Sequence, residues 1–176
     1  MSAYNRELLR PGMMLGYRSS SLFGKIIAAK TWMDISHVEV YLGDGVSAGA
    51  RWEGVDAYPV REDKYLCVVL APAEPFDLER AKVWFYSSAQ GLKYDLWGMR
   101  IFYRLIAKAN PNRMWCSEFV AEFYRAGGFD PFNPNLSSDR IAPAQFLQTV
   151  KMNTIWHDPG AFKMDYSLHT RKVARR

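Results

Sequence analysis

Cysteine is scarce in this chain: Cys67 and Cys116 are the two among 176 residues. That is too few for the disulfide framework of a small secreted scaffold, so two free thiols and a reducing compartment are expected. A Cys67–Cys116 disulfide would leave no thiol for chemistry. Histidine is scarce too, with His37, His157 and His169 making three. None pairs with Cys or carboxylates at metal-ligand spacing, so neither a zinc site nor any other cofactor is expected. No glycine-rich phosphate loop is present, which argues against a doubly wound nucleotide-binding fold. Apolar runs long enough for a membrane span are missing. The stretch from Met1 to Glu7 lacks the apolar segment of a signal peptide. A cytoplasmic protein is the expectation, reaching a cell envelope only by some other route.

What is present fits one globular core. The chain is 15% aromatic with six Trp, and its formal net charge is +5. A single domain is expected over residues 1–156, followed by a weakly patterned basic tail over 157–176. Arg171, Lys172, Arg175 and Arg176 crowd that tail. It can hold the chain near an anionic polymer or simply solubilise a frayed terminus. Specific nucleic-acid binding is not expected, because the aromatics sit at core spacing rather than interleaved with basic residues.

Strands are expected over 13–18, over 37–43 and 46–50 around an Asp44-Gly45 hairpin turn, and over 54–60 and 65–70. Helices are expected over 19–32, from an Asp77 N-cap to about Gln90, over 96–109, from Cys116 to Gly127-Gly128, and from Pro143 to about Val150. Leu78, Ala81, Phe85 and Ser88 form the expected packed face of the Asp77 helix. Sheet and helices are segregated along the chain, which points to an α+β fold.

Cys116 stands where an Asn/Pro-rich loop becomes a helix with apolar residues at Phe119, Val120, Phe123 and Tyr124. In the first turn, exposed amides and the positive end of the helix field favour a thiolate. His37 opens the strand Ser36-His37-Val38-Glu39-Val40-Tyr41. A helix-borne Cys and a strand-borne His are the parts of a nucleophile–base pair. Cys67, in a strand-like apolar run, reads as buried filler. Tyr94 and Trp115 are candidates for the pocket wall and equally for the core. Asp95 is suited to cap the helix over 96–109, and Glu118 to favour the start of the Cys116 helix.

Five segments in order carry a resemblance. They are Arg10-Pro11-Gly12-Met13-Met14-Leu15, the run from Ser36 to Gly45, Gly91-Leu92-Lys93-Tyr94-Asp95, Cys116-Ser117-Glu118-Phe119-Val120, and Ile141-Ala142-Pro143-Ala144-Gln145-Phe146. Together they resemble the NlpC-type papain-like superfamily. The closer likeness is to its circularly permuted branch, in which His precedes Cys, with the YiiX-like and lecithin:retinol acyltransferase-like proteins. The resemblance implies a permuted papain-like fold, with an antiparallel sheet or partial barrel packed against the nucleophile helix. It implies Cys116 as nucleophile and His37 as base, with no cofactor. Relatives carry a polar residue on the strand after the hairpin to orient the histidine, and here that position is Gly49. Ser47 is one substitute and Glu39, on the His37 face of its own strand, is another. A backbone carbonyl or water is the remaining choice. The implied activity is a cysteine hydrolase cleaving an amide bond, with peptide or cell-wall polymer, notably peptidoglycan stem peptides, as substrate class. A lipid acyl hydrolase or transferase of the same fold is the alternative, using an apolar surface over 22–33, and an inactive binding or structural module is the other.

Overall fold

The computed structural model describes residues 6–18, 35–61, 63–95 and 112–158. The expected helices over 19–32 and 96–109, the apolar surface over 22–33 and most of the basic tail lie outside them. The described residues form an α+β arrangement, an antiparallel sheet packed against helices. Six strands line up in the order β4-β3-β2-β1-β5-β8. These are β1 Met14–Tyr17, β2 His37–Gly43, β3 Val46–Arg51, β4 Gly54–Pro59, β5 Leu66–Pro72 and β8 Met152–His157. A small parallel pair, β6 Lys93–Tyr94 and β7 Arg113–Met114, lies apart from them in the chain's second sheet. The helices are α1 Leu78–Trp84 and α2 Cys116–Ala126.

The β2–β3 hairpin turns as its sequence predicts. Asp44 and Gly45 both have positive φ, 50° and 74°, the twist that a two-residue turn needs between right-twisted strands. β1 is central and buried on both faces. Met14 belongs with Val38, Val40, Ala48, Ala50, Val68 and Leu70 to the core under α2. Leu15 and Tyr17, alternating with it, join Leu9, Leu66 and Val69 on the other face.

α2 presents Cys116, Phe119, Val120, Phe123 and Tyr124 to the core, all buried, at the i, i+3, i+4, i+7, i+8 spacing of one helical face. Phe85 and Phe129 meet this stripe edge-on, Phe85 against Phe119 and Phe129 against Tyr124. Two polar bonds fix the position of α2. Buried Tyr124 Oη donates to Gly12 O at 2.9 Å, and buried Ser117 Oγ donates to Ile141 O. The Pro11-Gly12 and Ile141-Ala142-Pro143 segments are thereby tied to the two ends of the Cys116 helix.

Three local expectations change. Asp77 caps α1, its carboxylate accepting from Arg80 N–H, but the helix continues as a π-type turn, Phe85–Ala89. The wider turn spaces its inward residues four apart, so Ala89 is buried and Ser88 is exposed. Pro143 opens only a five-residue 3-10 turn, Pro143–Leu147. Beyond it, β8 is a strand that the sequence did not announce: four of its six residues are exposed or polar at the sheet edge. Pairing runs past Trp156, with His157 opposite Val68, Asp158 N–H donating to Cys67 O, and the Asp158 carboxylate paired with Arg18.

Candidate active site

β2 delivers His37 and Glu39 to the same side of the strand, two residues apart. His37 Nε2 lies 2.8 Å from Glu39 Oε1. Cys116 lies close enough to the imidazole to help raise its pKa. Cys116 begins α2 and is 4% exposed. The ring and the carboxylate are thus in direct contact, and Cys116 acts on the same ring electrostatically. Neither cysteine is in a disulfide. Cys67 lies elsewhere, on β5, where Arg18 Nε donates to its sulfur at 3.4 Å. Burial pushes the Cys67 thiol up, outweighing the guanidinium beside it.

Glu39 and Ser47, the two alternatives for the group orienting His37, act in series. Glu39 holds the imidazole, and Ser47 Oγ donates to Glu39 Oε2 at 2.5 Å. Arg51, one step of strand period beyond Gly49, grips the same carboxylate with Nε at 2.6 Å from Oε1 and Nη2 at 3.0 Å from Oε2. Glu39 has no exposed surface. Burial alone would raise its pKa, but the hydrogen bonds and charges of His37 and Arg51 hold it well below the usual carboxylate range. For His37, burial opposes protonation. Cys116 and Glu39 outweigh that and hold the imidazole up at about 8.

Gly49 explains where the Glu39 carboxylate fits. A Cβ at residue 49 would lie 2.8 Å from Glu39 Cγ. The acid therefore reaches across from β2 into space that any side chain on β3 would fill.

The pocket candidates divide. Trp115, 4% exposed, is anchored in the core beside the thiol. Tyr94 is half-buried and carries Trp52 against it, ring centroids 6.2 Å apart. Trp52, at the β3–β4 turn, is 65% exposed. Burial and then the charge of Cys116 push the Tyr94 hydroxyl up, while Arg61 opposes them. Glu118 reaches back from the first turn of α2 to Trp115 N–H at 3.4 Å. Burial holds its carboxyl up at about 7 despite that bond, and Asp139, Asp95 and Glu122 add to the rise.

Sequence reasoning did not find Arg51 or Arg61. Arg51 was within reach of it, because residues 47, 49 and 51 share one face of β3 by alternation. Arg61 follows β4 in a loop where no period applies. No group of three or more His, Cys, Asp or Glu among the described residues is placed to hold a metal ion, and no described helix is long and apolar enough to cross a membrane. No protein-family model matches this chain, and no curated protein sequence is similar enough to count as a relative.

Proposed function

We propose that the chain is a cysteine hydrolase of the circularly permuted papain-like type, acting on an amide bond. The observation that carries this reading is the hydrogen bond between His37 and the buried, ionised Glu39, with Cys116 close enough to the imidazole to help raise its pKa. His37 takes the thiol proton, and Glu39 stabilises the imidazolium and fixes the ring. The thiolate attacks the substrate carbonyl, and the Cys116 N–H at the start of α2 is the donor for the oxyanion. As the tetrahedral adduct collapses, the imidazolium protonates the leaving amine and an acyl-enzyme remains. Water, deprotonated by His37, then releases the acyl group and regenerates the thiol. Peptides, cell-wall stem peptides among them, are the substrate class to try first. The low pKa of Glu39 and the raised pKa of His37 favour a working site over an inactive shell.

The test is the rate at which iodoacetamide alkylates Cys116 across pH, in a Cys67→Ala background, with and without His37→Ala. Fast labelling that persists below pH ~7, slowed about tenfold or more without His37, is the expected result. An adduct of Cys116 with the acyl half of an amide substrate, seen by mass spectrometry, then identifies the bond. Labelling that rises only near pH ~8.5 and ignores His37 sinks the reading.

A further inference from the structure

Glu39 is one carboxylate facing two guanidiniums, and they are not equivalent. Its oxygens already take four donors: His37 Nε2 and Arg51 Nε on Oε1, Ser47 Oγ and Arg51 Nη2 on Oε2. That fills the four lone-pair positions of a carboxylate. Arg51 is further engaged, donating to Pro59 O at 3.0 Å and stacking over Tyr58 at 4.4 Å. Arg61 comes second. Its Nε stops 3.5 Å from Glu39 Oε1, beyond a good hydrogen bond, and this buried N–H has no hydrogen-bond acceptor among the described residues.

The Arg61 side chain remains one-third exposed, at 33%, so it reaches the solvent side of the site as well as the carboxylate. Its guanidinium carbon is 5.7 Å from the Tyr17 ring centroid, and the Tyr17 and His37 rings are 6.3 Å apart. Its charge also acts on Tyr94, which in turn feels Cys116. Arg61 therefore stands beside the His37–Glu39 pair and acts on the same tyrosine, Tyr94, as Cys116 does. It brings a second positive charge to a carboxylate already paired with Arg51, and a buried N–H with no hydrogen-bond acceptor among the described residues. A buried N–H left without an acceptor is unfavourable, and a bound anion would satisfy it.

We propose that Arg61 is a specificity-determining residue that binds a carboxylate of the acyl substrate beside the scissile bond. The proposal rests on the Cys116–His37 reading and narrows it: the preferred amide carries a negative charge within reach of Arg61, and its neutral analogue is a poor substrate. Arg51 stays with Glu39.

Two alkylating reagents of nearly the same shape test this without knowledge of the substrate. Iodoacetate carries the carboxylate and iodoacetamide does not. In the Cys67→Ala background at about pH 6.5, His37 is protonated in every arm. Arg61→Met is expected to slow iodoacetate labelling of Cys116 roughly fivefold while leaving iodoacetamide within about twofold. Arg61→Lys should keep most of the preference. An unchanged ratio of the two rates in Arg61→Met, or an equal slowing of both reagents, overturns the proposal. Should Arg61→Met not fold, the protein with Arg61 intact decides. Acetate must then protect Cys116 from iodoacetate where acetamide does not, and equal protection overturns the proposal. A thiol slow toward both reagents and indifferent to His37 is a different result: it removes the hydrolase reading underneath.

Discussion

At residue scale, the missing side chain at position 49 does as much as any side chain present. Glu39 on β2 packs against Gly49 on β3, and the room beside the glycine is occupied by the Glu39 side chain. Gly49→Ala puts a methyl group 2.8 Å from Glu39 Cγ, and a fully buried Glu39 has nowhere to retreat. The expected outcome is a stability loss of about 1–3 kcal/mol together with slower Cys116 labelling at neutral pH, as the carboxylate is pushed off His37. Denaturant unfolding and iodoacetamide kinetics on the same variant measure both. The sequence made the nearness of His37 and Glu39 readable through strand alternation and the place of Cys116 at a helix start, whereas Ser47 came only from the resemblance. It left Glu39 and Ser47 as rivals, since period alone does not say that one hydrogen-bonds through the other. Arg61 was illegible because a loop side chain's direction depends on tertiary contacts alone.

At the scale of elements, α2 is positioned by a few polar bonds at its ends and an apolar stripe between them. Tyr124 Oη donates to Gly12 O from a site with no exposure, two turns along the helix from Cys116. Tyr124→Phe leaves that carbonyl without its donor. It should lower the free energy of unfolding by about 1–2 kcal/mol, read as a lower denaturant midpoint. Cys116 labelling of the folded protein should stay near its original rate, because the first turn is held separately through Ser117. Elements with strong period and strong caps were legible: β1, the β2–β3 hairpin, β4, β5, the Asp77 cap and α2 all fall where apolar spacing and turn residues place them. β8 was not, because an edge strand with exposed Asn153, Thr154 and Ile155 does not alternate cleanly. Nor was the π-type turn, which shifts a packed face by one residue without changing composition.

At the scale of the whole molecule, the perturbed groups set how folding stability depends on pH. His37 titrates at about 8 when folded against an ordinary 6.5. Its contribution is fully present below 6.5 and is lost as pH rises through 8, about 2 kcal/mol for that shift. Glu118, held up at about 7 against 4.5, also favours the folded state at the acid end, and its contribution is lost as pH rises through 7. Glu39 runs the other way. Its folded pKa is depressed, so its contribution is present above 4.5 and lost as pH falls toward the folded value. Stability should therefore peak on the acid side of neutrality and decline between pH 5 and pH 9, opposite to a protein dominated by carboxylate ion pairs. Chemical unfolding at stepped pH measures this, and Glu118→Gln should flatten the acid half of the decline. A flat profile from pH 5 to pH 9 contradicts the linkage.

The proposed site also has a direction along the chain. His37, Glu39, Ser47 and Arg51 all lie on one hairpin, and Cys116 follows some 65 residues after Arg51. In the proposed reading, the base side is complete before the proposed nucleophile has been translated, and the two meet only when α2 docks on β2 and β3. A nascent or truncated chain ending before α2 lacks Cys116, so the proposed chemistry would stay latent until synthesis has passed Ala126.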